Sequence, residues 1–213
     1  MIIRTAKPED LDAVYRLTYD EYRRRGYCEP RADGRLNHYP HLDGIDQTTV
    51  WVAEDDGVVI GTNSITLDGP AGLHVDSDFP EAVDIIRDEC YATHRRFGAS
   101  WRIVTAGTFR SSVHVVLELI NAAVHHSAGL VDTMLFSFNP RHQRFYELAL
   151  ALEFVAEARC ASLSMEPEAV LMRGDAHKVL PRWQHICEQW QLPFEIDISA
   201  ALSWQANNRR KSR

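Results

Sequence analysis

The chain has 213 residues, 45% of them hydrophobic and 25% charged, with a formal net charge of −7. At about 100–200 residues per domain, this length suggests one domain plus a modest extension, enough to bury a core without disulfides or metal. The acidic balance argues against nucleic-acid binding, which calls for a basic face, and no apolar run reaches the roughly 18 residues of a membrane span.

Cysteines 28, 90, 160 and 187 form no CxxC pair and match no zinc or disulfide spacing, so they read as reduced structural thiols of a cytoplasmic protein. His125 and His126 are adjacent. On a helix they diverge by about 100°, and no HExxH or carboxylate cluster accompanies them, so no metal site is expected. The basic run Arg209, Arg210, Lys211, Arg213 reads as a solvated tail.

Ile2–Thr5 is short and β-branched and reads as a strand, not as a signal peptide. Pro8, Glu9 and Asp10 suit a first helical turn. Leu11, Val14, Tyr15, Thr18, Tyr19 and Tyr22 then recur at helical spacing to about Arg25, with Gly26 as the stop. Residues 28–47 read as a long loop. Thr49–Ala53 and Val58–Leu67 flank Asp55-Asp56-Gly57 as a β-hairpin. A second loop leads to a helix over Glu81–Phe97 and a strand over Trp101–Phe109. The next helix is capped by Ser111 or Ser112 and stops at Gly129. Leu130–Phe138 reads as a strand buried on both faces. A helix from Pro140 to about Ala151 and strands over Phe154–Leu163 and Ala169–Arg173 complete an α/β pattern. Beyond Ala176, the stripe Val179, Trp183, Ile186, Cys187, Trp190 predicts a helix that packs on the domain or on a second copy of the chain, broken by Pro193.

A strand ending at Phe109 and a helix opening near Ser112 expose backbone N–H groups suited to a phosphate, with Arg110 alongside as a clamp. The plainer reading is a surface arginine beside N-capping serines. The segment Asn139-Pro140-Arg141-His142-Gln143-Arg144-Phe145-Tyr146, followed by Leu152-Glu153-Phe154, is more specific. It resembles the GNAT acyltransferases, which place an Asn at the end of their fifth strand and a Phe-Tyr pair in the next helix. The form Asn-Pro-Arg-His-x-x-Phe-Tyr is most similar to the long-chain N-acyl amino acid synthases of FeeM type, relatives of the acyl-homoserine-lactone autoinducer synthases. Tyr19-x-x-Tyr22 with Gly26-Tyr27, Val59-Ile60-Gly61-Thr62, and Gly72-Leu73-His74-Val75-Asp76 with Phe79 are similar to the same family. The resemblance spans residues 2–173 in order.

It implies a GNAT fold: a mixed central sheet of about six to seven strands flanked by helices. Residues 1–174 would form the acyltransferase domain, and residues 175–213 a C-terminal helical extension with the basic tail. It implies transfer of a fatty acyl group from the phosphopantetheine thioester of acyl carrier protein to the amine of an amino acid, with no tightly bound cofactor. Asn139 would hold the pantetheine arm, Arg110, Ser111 and Ser112 the phosphate, and Tyr146 would act as acid at the leaving sulfur. The alternative for Tyr146 is an aromatic core residue with its hydroxyl at the surface.

The sequence departs from the pattern at three places. Gly107-Thr108-Phe109-Arg110-Ser111-Ser112 lacks the Arg/Gln-x-x-Gly-x-Gly/Ala motif that wraps the pyrophosphate of coenzyme A. The fourth strand has no acid, leaving Asp68 and Asp132 as the nameable substitutes, and Glu153 stands where the family has Gly. Two other readings therefore stay open: a coenzyme A-dependent GNAT N-acetyltransferase, and a non-catalytic domain that binds acyl thioesters. An apolar tunnel beside the fourth and fifth strands favours long-chain transfer, a narrow cleft with a basic mouth for the adenosine phosphates favours the coenzyme A enzyme, and a closed gap between those strands favours the non-catalytic domain.

Overall fold

A computed structural model describes residues 1–107 and 112–192. The elements run β1 (Ile2–Thr5), α1 (Leu11–Arg24), β2 (Thr48–Asp55), β3 (Val58–Leu67), α2 (Pro80–Ala92), β4 (Phe97–Thr105), α3 (Ser112–Ser127), β5 (Thr133–Phe138), α4 (Gln143–Leu150), β6 (Glu153–Arg159), β7 (Glu168–Asp175) and α5 (Ala176–Trp190). The strands form one seven-stranded sheet in the order β1-β2-β3-β4-β5-β7-β6. Among the described residues only the central β4–β5 pair is parallel, so the sheet is mixed, as expected. No helix among the described residues is long and apolar enough to cross a membrane.

Local chemistry explains the elements. Asp10 accepts the Lys7 N–H (2.7 Å) at the entry to α1, and Gly26 leaves the helix at φ +74, a conformation that suits glycine. Asp56 and Gly57 both have positive φ, the pattern of a type I′ hairpin turn between β2 and β3. Side-chain alternation then sorts the core. On β7, Ala169 and Leu171 join α2 residues such as Val83, Ile86 and Cys90 on one face. Val170 and Met172 join Leu117 and Ile120 of α3, Tyr146 and Leu150 of α4, and Val179 and Trp183 of α5 on the other.

Several boundaries differ from the sequence reading. Helix α2 ends at Ala92, not Phe97, and β4 begins at Phe97, four residues before Trp101. Thr93 folds its hydroxyl back onto the Glu89 carbonyl and His94 adopts φ 53, which unwinds the helix. Gly98, Ala99 and Ser100 have weak strand propensity, yet β4 needs them. A Cβ at Gly98 would stand 2.9 Å from the Thr66 carbonyl oxygen. Strand β5 begins at Thr133 because the Leu130 and Val131 N–H groups bond back to Ser127. Strand β6 stops at Arg159, where Leu163 N–H closes a turn on the Cys160 carbonyl. Helix α4 is preceded by a 3-10 turn at Pro140–His142. In α5, Val179, Trp183 and Cys187 are buried, Ile186 is partly buried, and Trp190 is 59% exposed. The Trp183 indole N–H donates to Asn121 Oδ1 at 2.9 Å, which ties α5 to α3. Pro193 and the basic tail lie outside the described residues.

Candidate active site

The site begins where the parallel pairing fails. Strands β4 and β5 pair over four positions, from Phe97 with Thr133 to Ser100 with Phe136. Both strands continue, β4 to Thr105 and β5 to Phe138, without pairing further. The far half of β4 therefore faces the gap with backbone that β5 does not use. A bulge sits at the branch point. Thr62 pairs with Val104 and Ser64 with Trp101, so Asn63 alone opposes Arg102 and Ile103, and Arg102 has φ +53. A bulge bends its strand and re-aims backbone and side chains.

Arg102 also anchors the long loop. Its guanidinium donates two bonds to the Asp43 carboxylate, at 2.9 and 2.7 Å, and two to Ser64 Oγ. It lies over the Trp101 ring, 4.4 Å from the centroid. The two charged side chains are 1% and 4% exposed. A buried pair of this kind holds only with full hydrogen bonding, which these contacts supply. A charge inside the apolar run Trp101-Arg102-Ile103-Val104 was the sequence signal for a buried partner.

The gap opens into a cavity of about 570 Å³ that passes through the sheet. On the side of α1 it is bounded by Glu21, Tyr22, Arg25 and Tyr27, together with Asn63 and Ser100. On the other side it runs under α3, touching Val113, Val116, Leu117, Ile120, Ala123, Val124 and Ser127. At 1.5 Å per residue, that stretch of helix is about 21 Å long. Ile65, Val131, Met134, Phe136 and Val179 close the apolar depth.

The residues singled out from sequence meet this cavity unequally. Tyr146 is buried and lines it, stacked on Phe138 with ring centroids 4.3 Å apart. No described residue hydrogen-bonds its hydroxyl. Burial pushes that hydroxyl well above the ordinary tyrosine range, so it keeps its proton. Asn139 also lines the cavity, but its side chain has local work. Its oxygen accepts the Arg141 N–H at 3.2 Å as the cap of the 3-10 turn, and its amide nitrogen reaches the Glu168 carbonyl at 3.4 Å. Ser112 is the first residue of α3. Arg110 and Ser111 lie outside the described residues. Asp68 is engaged by Arg87 and Tyr91, and Asp132 by Arg96. Neither borders the cavity.

The sequence reading missed Glu21, the one carboxylate on the cavity wall among the described residues. Its place was legible, since it continues the buried stripe of Val14 and Thr18. Glu21 Oε1 accepts the Gly107 N–H at 2.7 Å, and Oε2 accepts Arg24 Nη2 at 2.5 Å. Burial works against its charge, but Arg24, the Gly107 N–H and Arg25 outweigh it and hold the carboxyl below its ordinary pKa. His142 borders the mouth as well. Burial and the charges of Arg141 and Arg25 lower its pKa, so the imidazole is neutral at neutral pH.

Residues 13–175 match the family profile of the N-acyl amino acid synthase FeeM. The chain belongs to this family. It is accordingly an acyltransferase. The solved FeeM from uncultured soil microbes superposes with a TM-score of 0.70 at 21% identity, over 87% of this chain and 98% of that one. BjaI, a CoA-dependent acyl-homoserine lactone synthase, gives 0.59 at 15% identity, over 87% and 84%. A ribosomal-protein-alanine N-acetyltransferase from Brucella melitensis gives 0.56 at 13%, over 82% and 99%. These likenesses establish the fold as that of the GNAT acyltransferases. Comparison with curated protein sequences finds no match. Against the family's expectation of an acid on the fourth strand, this FeeM-family chain carries the buried Arg102 there, and its cavity carboxylate comes from α1 instead.

Proposed function

We propose that this enzyme transfers a long acyl chain from the phosphopantetheine thioester of an acyl carrier protein to the α-amine of an amino acid. The observation that carries the reading is the apolar passage along α3, continuous with the β4–β5 gap. With C–C bonds near 1.5 Å and angles near 111°, an extended alkyl chain advances about 1.25 Å per carbon, so about 21 Å suits roughly sixteen carbons. An acetyl group has no use for such a space.

The choice of donor rests on charge and on what residues 107–112 lack. They hold no pyrophosphate-wrapping motif. His142 borders the mouth, and Arg141 stands against it with Nε 3.0 Å from the imidazole Nε2. A positive charge at this edge, on a chain of net charge −7, suits an acidic carrier protein met in the cytoplasm.

The reaction needs the amine and the thioester held together. The ammonium loses one proton, and the amine nitrogen attacks the thioester carbon. Carbon–nitrogen bond formation places charge on the carbonyl oxygen, where unpaired N–H groups of the far half of β4 would receive it. Collapse breaks the carbon–sulfur bond. Tyr146 passes its proton to the departing sulfur and is reprotonated from the adduct nitrogen. The products are an amide, a free thiol and the one proton first released. Asn139 would hold the pantetheine arm, and Arg110, Ser111 and Ser112 its phosphate.

The test offers purified enzyme acyl carrier protein and coenzyme A thioesters of the same long acyl chain with amino acids, alongside mass spectrometry of lipids from expressing cells. The reading expects N-acyl amino acids and preference for the carrier protein. Turnover of the coenzyme A thioester alone would reassign the donor. No N-acyl amino acid from either donor would refute the activity.

A further inference from the structure

The acceptor end of the cavity carries two opposite charges side by side. Glu21 lies in the last turn of α1 and Arg25 caps its C-terminus four residues on, and both border the cavity. The Arg25 guanidinium makes no hydrogen bond with a described residue. Its nearest carboxylate oxygen is Glu21 Oε2 at 3.9 Å, and that oxygen is already taken by both Nε and Nη2 of Arg24. Arg25 thus presents a charge with its donors free. Glu21 Oε1 has one neutral donor, the Gly107 N–H, and an ionised carboxylate oxygen accepts more than one bond. The other arginine on the cavity wall among the described residues, Arg102, has each of its three nitrogens engaged by Asp43 or Ser64.

An α-amino acid carries an ammonium and a carboxylate on one carbon, separated by about the spacing of such a pair of side chains. We infer that Arg25 and Glu21 form the acceptor's α-carbon subsite, Arg25 taking the carboxylate and Glu21 the ammonium. A guanidinium fork matches a carboxylate with two parallel bonds. The arrangement places the amine beside the β4–β5 gap, on the side of the sheet opposite the apolar passage. The Tyr27 hydroxyl, buried without a partner on the same wall, supplies one more polar contact. This assignment rests on the acyl-transfer reading above and specifies which residues select an amino acid over a plain amine.

The experiment uses the full chain, one long-chain acyl carrier protein thioester, the common amino acid that the unaltered enzyme acylates best, and the amine left by decarboxylating that amino acid. Arg25→Ala is expected to raise KM for the amino acid about 10- to 100-fold, to leave KM for the amine within about twofold, and to leave the donor KM unchanged. Arg25→Lys should recover part of the loss. Glu21→Gln keeps an oxygen for Gly107 and should lower kcat/KM for amino acid and amine alike, since both carry the ammonium. An equal loss of amino acid and amine in Arg25→Ala would overturn the assignment. So would a raised KM for an acyl-phosphopantetheine donor but not for the same acyl-pantetheine, because Arg25 would then bind the donor phosphate. Failure of the acyl-transfer reading itself shows separately, as no turnover by the unaltered enzyme.

Discussion

The two halves of β4 solve opposite problems with the same strand. From Phe97 to Ser100 it is paired on both sides, and Gly98 lets it approach the Thr66 carbonyl more closely than any side chain would allow. From Trp101 to Thr105 it pairs with β3 alone, around a bulge. A non-glycine residue at positive φ costs about 1–3 kcal/mol, and Arg102 accepts that conformation at +53°. The buried pair with Asp43 offsets it. The gap is thus held open by a specific, hydrogen-bonded construction and is not simply a place where pairing runs out.

The strongest way to break this comparison is to remove Asp43. Asp43→Ala leaves Arg102 buried and unpaired, and losses of about 3–5 kcal/mol are typical for that change. Urea denaturation should show it as a lowered midpoint at constant slope. Asp43→Leu combined with Arg102→Met should recover much of the stability while leaving acyl transfer impaired, because the bulge would have lost what fixes it. An active double variant would mean that the pair serves stability alone.

The next effect belongs to the passage that the open half leads into. Val124→Phe places a ring in the apolar depth. Each excluded methylene forfeits about 0.8 kcal/mol, so losing four costs about 3 kcal/mol, roughly a 200-fold drop in kcat/KM for the longest donors. Donors short enough to end before residue 124 should react as before. A uniform loss across chain lengths would show that the acyl chain lies elsewhere. Tyr146→Phe follows. The ring stack on Phe138 survives, so the fold and the donor KM should hold while kcat falls about 10²-fold if the hydroxyl serves the sulfur. Unchanged turnover would return Tyr146 to the role of core aromatic.

Much of this was legible, and the failures have physical causes. The β2–β3 turn and the Asn139–Tyr146 segment carry strong local chemistry, and the structure follows them closely. The start of β4 was hidden because Phe97-Gly98-Ala99-Ser100 looks like the frayed end of a helix, and only the close approach of β3 explains its glycine. The site was half legible. Tyr146 and Asn139, both in that motif, line the cavity. Glu21 and Arg25 do not belong to that motif, and Arg25 closes a run of three arginines whose spacing alone fixes no common face. Their meeting with Gly107, eighty-six positions from Glu21, depends on how α1 crosses the sheet.

The smallest prediction compares the buried pair with a similar one at the sheet's edge. Arg4 on β1 donates to Asp10 at 2.6 and 2.9 Å and also to Glu54. Here the arginine and Asp10 side chains are 28% and 12% exposed, against 1% and 4% for Arg102 and Asp43. The Arg4 hydrogen bonds lower the Asp10 pKa from 3.8 to about 2, against the opposing effect of burial. A carboxyl with a depressed folded pKa stabilises the fold fully above its unfolded value and loses that contribution as pH falls through the folded value. Asp10→Asn should therefore cost about 1–2 kcal/mol at neutral pH, after allowance for screening at a partly exposed site. The difference from the unaltered chain should shrink between pH 4 and pH 2, measured as the gap between their denaturation midpoints. A neutral-pH cost as large as that of Asp43→Ala would mean that burial does not separate the two pairs. The rigidity of the open half of β4 would then need another source than its desolvated arginine.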